Sequence, residues 1–66
     1  MKGREFIRKL KKSGAVIVGK RGKGGHVLVE YKGKKTTVPF HGDADLGSGL
    51  LKNICAQLGL DPRDVL

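Results

Sequence analysis

Hydrophobic positions along the chain change their spacing several times, and each change marks an element. Between Lys2 and Ser13, Phe6, Ile7 and Leu10 fall at i, i+1 and i+4 among basic residues, and Gly14 follows. That pattern predicts a first helix with one narrow buried stripe and a glycine stop. Its other faces carry Arg4, Arg8, Lys9, Lys11 and Lys12, the last of which also suit the negative end of the helix dipole. The β-branched run from Ala15 to Val18 predicts a strand, and the glycine-rich stretch from Gly19 to Gly25 predicts a loop.

Residues His26 to Phe40 predict a hairpin that turns at Lys32-Gly33. This register sets Glu30 opposite Lys35, Val29 opposite Thr36, Val27 opposite Val38 and His26 opposite Pro39. His26 and Pro39 then form a non-hydrogen-bonded pair, so the missing N–H of Pro39 is harmless if the third strand is an edge. Strand alternation assigns Val27, Val29, Tyr31, Val38 and Phe40 to the core face and turns His26, Leu28 and Glu30 outward. After His41, Gly42 to Asp45 reads as a turn. Leu50, Leu51, Ile54 and Leu58 recur at helical spacing up to Gly59, with Ser48 as N-cap. Gly59 suits the left-handed position after a helix, and Asp61-Pro62-Arg63-Asp64 predicts one closing helical turn. The expected fold class is α+β in the order α-β-β-β-α: a three-stranded antiparallel sheet with two helices on one face and the other face open.

A length of 66 residues suits a single domain over residues 1–66. A chain of this size hides only about 60% of the surface its unfolded form exposes, so deep pockets are not expected. One cysteine, Cys55, cannot form an internal disulfide, and no basic-then-apolar leader precedes the domain, which makes a reducing cytoplasm the expected location. The longest apolar run, Ala15 to Val18, falls far short of the roughly 20 residues that span a bilayer. Charge is distributed unevenly: residues 1–35 hold 12 Lys and Arg against 2 Asp and Glu, whereas residues 36–66 hold 2 against 4. A front half this cationic, in a chain of net charge +8, attracts polyanions.

Two motifs bear on chemistry. Gly14 to Lys20 matches most of a nucleotide phosphate loop, but Arg21 stands where a magnesium-binding Ser or Thr belongs, and four consecutive apolar residues favour a strand. His26, His41 and Cys55 have no paired-ligand spacing, so no metal and no cofactor are expected. His26 is the more informative residue, because it ends a glycine loop and is closely preceded by Lys20, Arg21 and Lys23. Small residues let an anion approach the backbone, flanking cations hold its phosphates, and histidine moves protons near neutral pH. Such a loop is similar to a phosphodiester-cleaving site; the same residues also read as a half-exposed strand histidine beside a solvated basic loop. RNA brings its own nucleophile in the 2′-OH, so cleavage needs a base, an acid and charge stabilisation from the protein.

These elements together resemble the HicA messenger-RNA interferase toxins over nearly the whole chain. The resemblance is carried by the basic helix ending in Ser13-Gly14, by Lys23-Gly24-Gly25-His26 and by Thr37-Val38-Pro39-Phe40-His41. Leu46, Gly49, Leu50, Leu51 and Ile54, leading to Leu58-Gly59-Leu60, complete it. Ala15 stands where an aromatic residue often follows the glycine in that family, Leu50 where a small hydroxyl residue is common, and Val27-Leu28-Val29 lacks a common aromatic. The resemblance implies a double-stranded-RNA-binding-domain fold, a catalytic role for His26, an unsettled secondary role for His41 and a HicB antitoxin as partner.

The expected function is thus the toxin of a type II toxin–antitoxin system, an endoribonuclease that cleaves messenger RNA without a metal, with His26 as general acid/base. Lys20, Arg21, Lys23, Arg4, Arg8, Lys9 and Lys12 are the expected RNA-binding residues, with single-stranded or messenger RNA and an acidic HicB-like antitoxin as partners. The alternative is a non-catalytic RNA-binding module using the same basic surface. A basic amphipathic helix on an anionic membrane is a third reading, weakened by the short apolar face and the absence of Trp.

Overall fold

The computed structural model describes residues 1–21, 25–40 and 45–66. Its elements are α1 (Gly3–Lys12), β1 (Val16–Arg21), β2 (His26–Tyr31), β3 (Lys34–Pro39), α2 (Ser48–Leu58) and α3 (Pro62–Val65). The strands form an antiparallel sheet in the order β1-β2-β3, so β2 is central and both neighbours are edges. Pro39 therefore lies on an edge strand, where its lack of an N–H breaks no ladder.

The hairpin has the register that the sequence predicts, from Tyr31 opposite Lys34 to His26 opposite Pro39. Lys32 and Gly33 both take positive φ, 49° and 84°, the sign a two-residue type I′ turn needs to follow the strand twist. One rung further out, the Phe40 N–H donates to the Gly25 carbonyl at 2.6 Å. The β2–β3 pairing thus continues past His26.

β1 departs from the sequence reading. It does not stop at Val18 but runs through Gly19, Lys20 and Arg21, residues the glycine count assigned to a loop. A bulge makes this possible: Ile17 pairs with Val29 but Gly19 with Leu28, leaving Val18 as an extra residue. Gly19 takes φ 150°, a conformation that costs a glycine little, and pairing resumes beyond it with Lys20 opposite Val27 and Arg21 opposite His26. Glycine here bends a strand instead of ending it. The same strand disposes of the nucleotide-loop pattern, whose residues from Val16 to Arg21 are strand and, apart from the bulged Val18, paired.

Both long helices cover one face of the sheet. Phe6 and Leu10 of α1 meet Val27, Val29 and Val38 of the strands and Leu51, Ile54, Cys55 and Leu58 of α2 in one core, which Val65 of α3 closes. Burying a side chain of Val, Leu, Ile or Phe size contributes roughly 1.5–3 kcal/mol. The opposite face is open, and Val16 and Val18 are 58% and 51% exposed.

Local chemistry fixes the helix ends. Ser13 closes α1 with its Oγ donating to the Lys9 carbonyl at 3.1 Å. α2 begins at Ser48 with Gly47 as its cap, one residue before the expected N-cap; the Ser48 hydroxyl makes no capping bond because Ser48 already has helical backbone. α2 ends at Gly59 in the left-handed region, and Leu60 N–H donates back to the Cys55 carbonyl at 2.8 Å. Asp61 caps α3 by accepting from the Arg63 N–H at 2.9 Å. The Arg63 side chain, with that N–H, holds the Asp61 carboxyl below its ordinary value. Residues 42–44 of the expected turn lie outside the described residues, while Asp45 forms an antiparallel bridge with Lys2 that the sequence did not suggest.

The start of α1 is pressed against β3. A Cβ on Gly3 would lie 3.0 Å from the Pro39 carbonyl oxygen, so α1 reaches the sheet at the end where Pro39 faces His26. We expect Gly3→Ala to lower stability by about 1 kcal/mol, at the mild end of overpacking, and the melting temperature by several degrees. Thermal unfolding followed by circular dichroism measures it.

Candidate functional site

His26 opens the central strand. Its register partners are Arg21 on β1 and Pro39 on β3, so backbone on both sides holds it in place. Val27 and Val29 are buried in the core, and alternation sets half-buried His26 on the opposite, helix-free face with Leu28 and Glu30. A histidine fixed at the rim of a rigid sheet, one residue after the glycine Gly25, can exchange protons with a group lying across that end.

The expected phosphate-binding residues divide into two sets. Lys20 and Arg21 lie on β1 with their backbones opposite Val27 and His26, at the His26 end of the sheet. Their side chains, and all of Lys23 and His41, lie outside the described residues. Arg4, Arg8, Lys9 and Lys12 belong to α1, which packs on the other face. Arg8, Lys9 and Lys12 line an open cleft of about 320 Å³ between α1 and α3, together with Glu5 and Asp64. The fold thus groups three of the α1 cations but presents them on a different side from His26.

Sequence reasoning missed a second feature at the His26 end. A groove of about 230 Å³ is lined by Ile7, Lys11, Ile17, Gly19, Val27 and Phe40. Ile7 and Lys11 are four apart in the helix, a spacing that stacks them on one face and that marks the pair in the sequence. The groove also needed the β1 bulge, which no local signal announces.

Cys55 takes no part in either site. It is fully buried in the core, and burial, with a smaller contribution from Asp61, raises its thiol above the ordinary value. Among the described residues no three His, Cys, Asp or Glu side chains are grouped as metal ligands. No helix among them is long and apolar enough to cross a membrane.

Comparison with known proteins agrees with this architecture. Residues 3–60 match the family model described as the HicA toxin of bacterial toxin–antitoxin systems. The chain is also 47% identical over 60 residues to a Pseudomonas fluorescens (strain Pf0-1) protein described as a probable mRNA interferase HicA, an alignment covering 91% of this chain and 97% of that one. A family model spanning so much of the chain, with a relative this similar over nearly its full length, places the protein: it belongs to the HicA toxin family.

Proposed function

We propose that the protein is the toxin of a toxin–antitoxin pair and acts as a metal-independent endoribonuclease on messenger RNA, with His26 moving the proton. The observation that carries this reading is the placement of His26: first residue of the central strand, on the open face, with Arg21 beside it in register. The relative's description as a probable mRNA interferase supports the same substrate.

The reaction proceeds by in-line attack. A base takes the proton of the 2′-OH, the 2′ oxygen attacks the adjacent phosphorus, and the bond to the 5′ oxygen breaks. The departing oxygen takes a proton from an acid, leaving a 2′,3′-cyclic phosphate and a 5′-OH. His26 serves as one of the two proton-transfer groups, and cations beside it stabilise charge on the phosphoryl oxygens. A lone histidine is not base and acid in the same step, so Lys20, Lys23, His41 or a water supplies the other.

The test is a single-stranded RNA incubated with purified protein in excess EDTA. We expect undiminished cleavage and fragments ending in 2′,3′-cyclic phosphate; activity that disappears with the chelator overturns the mechanism. RNA affinity is expected to fall steeply with salt, since Lys20, Arg21, Lys23, Arg4, Arg8, Lys9 and Lys12 act through phosphates. On single strands the log–log slope is about −0.7 per phosphate contacted. A salt titration of binding counts those contacts, and a flat profile excludes a phosphate-dominated interface.

A further inference from the structure

The groove between α1 and the bulged end of β1 is unlike the rest of the surface. Its walls are Ile7, Ile17, Val27 and Phe40, with Lys11 as the charged residue among them. Ile7, Ile17 and Phe40 are only partly buried, so they reach the core on one side and leave apolar surface on the other. Gly19 supplies no side chain at the bulge, and a Cβ built there would meet nothing within 4 Å. The opening is a consequence of the backbone.

One peptide bond and one backbone hydrogen bond tie this groove to the neighbourhood of His26. Val27 is the next residue along β2, and the Phe40 N–H is bonded to the carbonyl of Gly25, the residue before His26. The groove lies on the helix face and His26 on the open face, both at one end of the sheet, so a strand passing round that end reaches both. At about 230 Å³ it falls below the roughly 300–1,000 Å³ of pockets that enclose drug-sized ligands, a scale suited to a single flat ring.

We propose that the groove receives one unstacked base of the RNA strand, laid against Phe40, with Lys11 on the adjoining phosphate. This rests on the RNA-cleaving reading and deepens it. The charge of +8 selects a polyanion, and single-stranded RNA is a polyanion that also carries flat apolar rings to bury against an aromatic side chain. Apolar walls offer ring contact without a pattern of hydrogen-bond partners. The groove therefore sorts bases by size and stacking and leaves finer identity unread.

The experiment uses the His26→Ala protein, which holds RNA without cutting it, and short single-stranded RNAs with one abasic position moved along the strand. One position should lower affinity about tenfold when its base is removed, as loss of a base–aromatic stack does. In His26→Ala carrying Phe40→Leu that penalty should shrink below twofold. Lys11→Gln, at an exposed residue that the core does not need, should weaken binding and flatten the salt slope by about 0.7. An abasic penalty equal with and without Phe40→Leu, or no sensitive position at all, overturns the proposal. Should Phe40→Leu fail to fold, 5-iodouridine at the sensitive position provides the second readout: a photo-adduct on Phe40 supports the groove, and one elsewhere rejects it. Wild-type protein that cleaves RNA while the abasic series is flat loses the groove alone; protein that neither binds nor cleaves RNA loses the functional reading as well.

Discussion

Replacing His26 by Ala is expected to reduce RNA cleavage by about 10²–10⁴-fold, the contribution of one positioned general acid–base group. Folding should survive the change. His26 lies at a strand end on the open face, half-buried, and the core of Phe6, Leu10, Val29, Val38 and Leu58 does not include it. The backbone pairing with Arg21 and Pro39 makes no demand on the imidazole. Circular dichroism and thermal unfolding of the variant establish that it is folded, and the initial rate on a single-stranded RNA then reports chemistry. Binding should be nearly retained, because phosphate contacts come from lysines and arginines. A folded His26→Ala protein with wild-type cleavage assigns the proton transfer to another residue. A wild-type protein that binds RNA but never cuts it is the non-catalytic RNA-binding module.

How far the sequence reveals this arrangement depends on whether a signal is local. The hairpin register followed from a two-residue turn and from charge and apolar pairs that agree with one another, and every predicted rung is present. Helix ends were nearly as legible, since Gly14, Gly59 and the Asp61-Pro62 step each act on their own neighbours. β1 was not. Its last three residues, Gly19, Lys20 and Arg21, look like loop by composition and are held as strand only because β2 lies alongside. That tertiary pairing overrode local propensity. For the site the same division holds: the place of His26 on the open face was legible from strand parity, whereas the separation of the α1 cations from His26 is a property of which face each element packs on. A charge count over residues 1–35 has no access to that. Lys11 gained its place beside Gly19 and Phe40 only when the helix docked.

The extension of β1 has a further consequence, for silencing by an antitoxin. Lys20→Ala, Arg21→Ala and Lys23→Ala together are expected to weaken RNA binding and antitoxin binding alike, by about 10²-fold if each lost charge contact contributes about 1 kcal/mol. The two ligands are expected to compete for the same ground, because cations that hold phosphates are equally complementary to carboxylates. Pairing of Lys20 and Arg21 with Val27 and His26 fixes their backbones beside His26, so a protein that grips them is expected to cover His26 as well. Size favours occlusion over signalling from a distance. An interface of about 800 Å² per partner would cover roughly a fifth of the 4206 Å² this chain exposes, and one small core leaves no second module to relay a conformational change. His26→Ala, by contrast, is expected to remove cleavage while the complex still forms. Titration calorimetry of an acidic antitoxin against wild type, the triple variant and His26→Ala separates these effects. Antitoxin affinity untouched by the triple variant, with RNA affinity reduced, places the antitoxin on another face and leaves His26 open in the silenced complex.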